Sequence, residues 1–212
     1  MKGTTHLAIG LTIGAAAAAY YPFTIMNAAA YVTVAGISAL SADLDGPSLI
    51  SSSISKFSKL LYGIIQAGGW LLLGTIIYLY VYDHYFNGYL TIIAASLILT
   101  GLVVNQGIIR NSLVSLLGTV LIYAGFIFHL YWLIGFGAFI VCAPWFKHRG
   151  MTHTIWAVIA WTAIGYGLEQ YLAIDGIMRV AFLGYFSHLL ADTLTPNGVK
   201  WLYPIVKKSF KL

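Results

Sequence analysis

Four of the six histidines and three of the six acidic residues lie in four short polar islands with apolar sequence between them. The islands are His6, Asp43 with Asp45 in Ser41-Ala-Asp-Leu-Asp-Gly-Pro47, His148 with His153 in Lys147-His-Arg-Gly-Met-Thr-His153, and His188 with Asp192 in Ser187-His-Leu-Leu-Ala-Asp192. Imidazoles and carboxylates together form the ligand set of zinc, manganese and iron sites. Ionisable groups in or beside membrane segments are costly, and by default they mark function.

The spacing within each island says what it can do. His188 and Asp192 stand at i and i+4, one turn apart on one helix face, so both can point at one ion. In isolation such a pair serves equally as a hydrogen bond between packed helices. His148 and His153 are five apart, which does not place both on one helix face. The expectation is His148 in a loop, a bend at Gly150, Thr152 as helix cap and His153 in the first helical turn. Asp43 and Asp45 fall at the end of an apolar segment, where two acids are unfavourable unless a cation or a partner compensates. The alternative is a solvated turn, since Asp-Gly-Pro is turn chemistry. His6 sits one turn into the first apolar segment, with Thr4 and Thr5 as candidate caps. His84 and His129 stand beside aromatics and read as interfacial belt residues. Arg149 is planar and permanently charged, suited to bidentate contact with phosphate; as a lone basic residue it also reads as a membrane-face anchor.

The elements that must carry these groups are membrane helices. The chain is 60% hydrophobic and only 8% charged over 212 residues, with a mean hydropathy of +0.86. Soluble domains carry about 25% charged residues. The apolar stretches approach helical length and lack the ten-residue alternation of an outer-membrane barrel. The pattern predicts an all-α polytopic membrane bundle with helices at 5–22, 24–42, 60–82, 89–104, 112–128, 131–146, 154–173 and 177–192. Several fall short of the ~20 residues of a straight span. Pro22 and Pro47 fit breaks between elements, and residues 46–59 form the main polar connector. No hydrophilic stretch is long enough for a soluble domain, so 1–212 reads as one membrane domain. The early run after Lys2 imitates a secretory signal but reads better as a first helix. Cys142 is the single cysteine, which excludes an intramolecular disulfide and a cysteine-based metal site.

Threading eight spans places Lys2, Lys56, Lys59, Arg110, Lys147, Arg149, Lys200, Lys207, Lys208 and Lys211 on one face. Arg179 falls on the other with Asp83, Glu169 and Asp175. The positive-inside rule makes the basic face and both termini cytoplasmic. All four islands fall on that same face. Four imidazoles and three carboxylates exceed one tetrahedral site and suit two or more divalent ions, zinc or manganese. The expected ligands are His6, Asp43, Asp45, His148, His153, His188 and Asp192, with Asp43 or Asp45 as the alternative general base. Arg149, Lys147 and Trp201 are expected at the substrate. Residues 200–211 alternate basic and aromatic types suited to an anionic lipid surface.

The motifs also resemble a known family. His6-x3-Gly10, Asp43-Leu-Asp45, His148-Arg-Gly-Met-Thr-His153 and Gly184-x2-Ser187-His-x3-Asp192-x2-Thr195-x2-Gly198-x2-Trp201-x2-Pro204 resemble the YdjM-like bacterial inner-membrane proteins. The resemblance implies a metal-dependent hydrolase. It further implies a distant similarity to zinc-dependent phospholipase C and single-strand nuclease enzymes, limited to ligand style and to His-x3-Asp at 188–192. The expected reaction is hydrolysis of a phosphoester in a lipid or lipid-linked substrate at the cytoplasmic leaflet. A metal-ion transporter or sensor is the alternative, and a scaffold with a structural metal is a third. Partners are the bilayer and the phosphate-containing lipid, with no nucleic acid. Small-xxx-small faces such as Gly10 to Gly14 leave monomer and homodimer open.

Overall fold

The computed structural model describes residues 1–46, 48 and 51–211. Pro47 lies outside the described residues. The described residues form eight α-helices: α1 (Gly3–Tyr20), α2 (Ile25–Ser41), α3 (Ser52–Tyr82), α4 (Gly88–Val103), α5 (Gln106–Ile127), α6 (Tyr131–Cys142), α7 (Ile155–Leu172) and α8 (Ile177–Thr193). No strand forms among the described residues. Among the described residues, three segments are long and apolar enough to cross a membrane: Ile25–Asp45, Ser52–Tyr82 and Gln106–Ile127. Two shorter apolar helices, Gly88–Val103 and Tyr131–Trp145, add to them.

Local chemistry sets most boundaries. Thr24 caps α2 by accepting the Asn27 N–H at 3.0 Å, and Asn87 caps α4 by accepting those of Tyr89 and Leu90. His84 and His129, expected as belt residues, follow α3 and α5 in left-handed conformation, with φ of 49° and 55°. The next residue in each case bonds back to the last helical turn, Tyr85 to Leu79 and Leu130 to Gly125, which closes the helix end. Two helices begin earlier than hydropathy indicates. α3 starts at Ser52 and α5 at Gln106, because their first turns are polar but still helical. Most of the expected polar connector is therefore the start of α3. Thr4 and Thr5 cap nothing; Lys2 is the N-cap of α1 and makes no side-chain cap bond.

The chain divides into two compact units, Met1–Ser51 with Val114–Leu212, and Ser52–Leu113. In the smaller unit α3 packs on α4, and the Gln66 side-chain amide donates to the Gly101 carbonyl at 2.7 Å. In the larger unit α2 lies between α1 and α8, and α7 packs on α8 and α6. The α2 and α8 backbones approach closely. A Cβ added to Gly10 or to Gly184 would fall 2.8 Å from the Ala35 carbonyl oxygen in either case. The Gly10 and Gly14 face is thus used within the chain, against α2. Trp161, Tyr185, Leu189 and Val199 form the core beneath the polar end. Trp161 donates its indole N–H to Ser38 Oγ at 2.8 Å.

Candidate metal centre

The α1–α2–α8 seam sets the site one turn beyond it. His6 precedes Gly10 by one turn, His188 follows Gly184 by one turn, and Ala39 and Asp43 continue from Ala35 along α2 into the short 3-10 turn Ala42–Asp45. Asp192 follows His188 by a further turn on α8. The fourth component is the loop before α7. It is a turn closed by the Gly150 N–H donating to the Lys147 carbonyl at 2.7 Å. Arg149 takes the left-handed position of that turn, with φ of 60°. A short 3-10 turn, Met151–His153, follows. The structure brings all seven expected ligand residues to this one end of the larger unit.

Four donor atoms alternate around a common centre. His153 Nε2 lies 3.8 Å from Asp43 Oδ1 and 3.7 Å from Asp192 Oδ2. His188 Nε2 lies 3.6 Å from Asp43 Oδ1 and 3.9 Å from Asp192 Oδ2. These separations are too long for hydrogen bonds. They lie close to the edges of a tetrahedron with metal–ligand bonds of about 2.0–2.2 Å, which are about 3.3–3.6 Å. Both Nε2 atoms are buried and have no hydrogen-bond partner, and His6 Nδ1 is in the same state. A buried polar atom without a partner is costly. The two orphaned Nε2 atoms facing two carboxylates fit a bound cation, and the orphaned His6 belongs to an adjoining donor set with Asp43 and His188. His6, which stacks on His188 with ring centroids 3.8 Å apart, and His148 extend the donor set on either side.

The other ring nitrogens fix which lone pair faces the centre. His188 Nδ1 is 2.7 Å from the Ala39 carbonyl oxygen. A carbonyl only accepts, so Nδ1 carries the proton and Nε2 the lone pair. Thr152 donates its hydroxyl to Asp45 Oδ2 at 2.6 Å, and its oxygen lies 3.0 Å from His153 Nδ1. That oxygen accepts from Nδ1, which again leaves Nε2 free. Tyr185 holds this loop by donating its hydroxyl to the Thr152 carbonyl at 2.6 Å.

Asp43 and Asp45 occupy different environments. Both Asp45 oxygens accept hydrogen bonds: His148 Nδ1 lies 2.8 Å from Oδ1, and Thr152 and the Arg149 N–H both donate to Oδ2. It belongs to none of the donor groupings whose atoms lie within 4.8 Å of one another. Asp45, expected as a direct ligand, thus stands beside these groupings in a supporting place, with its hydrogen bonds directed to the loop of His148 and Thr152. The Asp45 carboxylate raises the pKa of His148 above its ordinary value. Asp43 pairs with no lysine, arginine or terminal amine among the described residues. Its side chain is 19% exposed, whereas those of His153 and His188 are fully buried. With His148, 56% exposed, it marks the open side.

Arg149 is committed to the protein. One terminal nitrogen lies 3.2 Å from Asp192 Oδ2, and the other donates to Thr195 Oγ1 and the Gly198 carbonyl. Asp192 also meets the Met1 ammonium at 2.8 Å. Lys147 lines the cavity beside the centre, but Trp201 does not. The Trp201 indole donates to Thr193 Oγ1, its carbonyl accepts from the Ile155 N–H, and its ring packs on Phe186. It braces the C-terminal segment. Thr152, expected as a helix cap, serves Asp45 instead, and Thr154 caps α7 by accepting the Ala157 N–H. His153 accordingly precedes α7, where the 3-10 turn and not the helix aims its ring. Sequence reasoning did not identify Thr152, Tyr185 or the Ala39 carbonyl as supports. Only the Thr-His adjacency at 152–153 offered a signal.

The profile of the YdjM inner membrane protein family matches residues 1–212. The curated inner membrane proteins YdjM of Escherichia coli K12 and of Shigella flexneri are each 44% identical to the chain over 61 residues. That stretch covers 28% of this chain and 31% of each relative. No solved structure matches. The whole-chain match and the apolar helices make this a multi-pass protein of the bacterial inner membrane, and the chain belongs to the YdjM inner membrane protein family.

Proposed function

We propose that this protein is a membrane-embedded, metal-dependent hydrolase acting on a phosphoester in a lipid or lipid-linked substrate. The observation that carries the reading is the pair of buried, unpartnered Nε2 atoms of His153 and His188 facing Asp43 and Asp192. His6, Asp43, His148, His153, His188 and Asp192 would hold zinc or manganese, with room for two ions. Such ions supply a nucleophilic water near neutral pH and charge stabilisation at phosphorus.

The chain's own groups divide the remaining work. Asp45, through Thr152, holds the His153 ring, and the Ala39 carbonyl holds that of His188. Arg149 orients Asp192. Asp43, the carboxylate without a cationic partner on the open side, is the group placed to accept a proton from water. Lys147, Arg149, Lys200 and Lys207, gathered beside the donor set, support a cytoplasmic site and cytoplasmic termini.

The open side also separates this reading from its alternatives. A structural metal has a closed shell, whereas here Asp43 is partly exposed and His148 largely so. A transporter needs polar groups at mid-membrane depth, whereas these ligands cluster at helix ends. The test is hydrolysis of a dispersed lipid phosphomonoester by purified protein, with and without chelator, beside Asp43→Asn. Phosphate release that chelator and substitution both abolish supports the reading. Release unaffected by either contradicts it.

A further inference from the structure

A cavity of about 520 Å³ lies beside the metal centre, with His148 and Arg149 in its wall. Its remaining charged lining is Lys147, Lys200 and Lys207, and among the described residues no acidic side chain lines it. None of the three lysines forms an ion pair with a described residue. Two of them are presented by a closed loop and not by a free tail. The ends of this loop are joined where Val199 and Phe210 exchange backbone hydrogen bonds of 2.9 and 2.8 Å, and Ser209 Oγ donates to the Asn197 carbonyl. Arg149 ties the same loop to the centre through the Gly198 carbonyl and Asp192. Like charges gathered around one cavity repel each other, and that cost is relieved by an anion. The charge of Arg149 is paired with Asp192, whereas the three lysines have no ion-pair partner among the described residues, so the lysines are the cations free to meet it.

We infer that this cavity is an anion subsite for a second phosphoryl group, so that the substrate class is a diphosphate with one phosphoryl at the metal centre and one among Lys147, Lys200 and Lys207. The inference rests on the hydrolase reading for the position of the first phosphoryl. Ammonium groups suit it because each contributes compact charge and three donors, without demanding a fixed fork geometry.

The test is calorimetric titration of the metal-loaded, detergent-purified full chain with inorganic phosphate and with inorganic pyrophosphate. Wild type should bind pyrophosphate about tenfold more tightly or better. The K200Q/K207Q variant should lose most of that preference and keep its metal content, and K200R/K207R should retain the preference. Equal affinities in wild type, or an unchanged preference in K200Q/K207Q, would overturn the inference. Should the double variant aggregate, K207Q alone is read the same way, and no loss of preference overturns it. Tighter binding of a long-chain alkyl diphosphate in micelles than of pyrophosphate identifies a lipid source, and equal binding a soluble one. Stoichiometric metal without a pyrophosphate preference overturns the subsite alone. A lysine-dependent preference in wild type that holds no metal overturns the hydrolase reading alone.

Discussion

His188 donates its Nδ1 proton to the Ala39 carbonyl at 2.7 Å, which turns its Nε2 lone pair toward Asp43, 3.6 Å away. The bond crosses from α8 to α2, so the helix seam itself selects the tautomer. Gly184 makes that seam possible, because a Cβ there would strike the Ala35 backbone. Gly184→Val is therefore expected to cost about 1–3 kcal/mol through overpacking. It should also weaken metal binding, although residue 184 touches no ligand. Thermal unfolding in detergent with parallel metal analysis checks this; a lowered Tm with full metal affinity would separate the seam from the site.

Asp45 and Asp43 should respond differently to the same change. Asp45→Asn leaves the donor set in place but loosens His148 and His153, and outer-shell losses of this kind cost about 10–100-fold in metal affinity. The site should still fill at saturating metal. Asp43→Asn removes a donor, and occupancy should fall even at saturation. Competition titration against a chelating dye distinguishes them, and identical behaviour would contradict the division of roles.

Metal affinity should fall as pH falls. Imidazoles bind metal only when neutral, so each proton on a ligand histidine competes with the ion. The ordinary range of that competition is near pH 6.5. Asp45 raises the pKa of His148, so competition at this residue persists to higher pH than usual. Proton release on metal binding, measured in weakly buffered solution, should therefore rise as pH falls from about 8 toward 6.5. Pure carboxylate ligation would show no such release.

Arg149→Lys should damage function more than stability. One ammonium cannot reach Asp192, Thr195 and Gly198 together as the guanidinium does. The expected loss is roughly tenfold in kcat/KM, or about 1.4 kcal/mol. Thermal unfolding should change little. Unchanged kinetics would remove Arg149 from the positioning of Asp192.

The candidate ligand residues were legible from sequence because each island is an ionisable break in apolar sequence, a contrast that burial in a membrane enforces. His188 and Asp192 were legible as a pair from helical periodicity alone. The separation of Asp45 from Asp43 was not, since both are the same residue type two positions apart. Only the loop returning from residue 148 decides which one it bonds. Thr152 looked like a cap for the same reason that it serves Asp45: a hydroxyl bonds whatever lies nearest. The polar starts of α3 and α5 escaped hydropathy because serine, lysine and glutamine turns are helical without being apolar. Trp201 could not be placed from sequence, because the loop closure at Val199 and Phe210 has no periodic signature.

The most direct test of the central claim is elemental analysis of detergent-purified protein, with wild type beside a His188→Ala/Asp192→Ala double variant. The account predicts about two equivalents of zinc or manganese in wild type, lost in a double variant that still inserts and remains monodisperse. Wild type that is folded and carries no stoichiometric metal, under conditions that do not strip it, would contradict the account and leave the islands as helix-packing contacts.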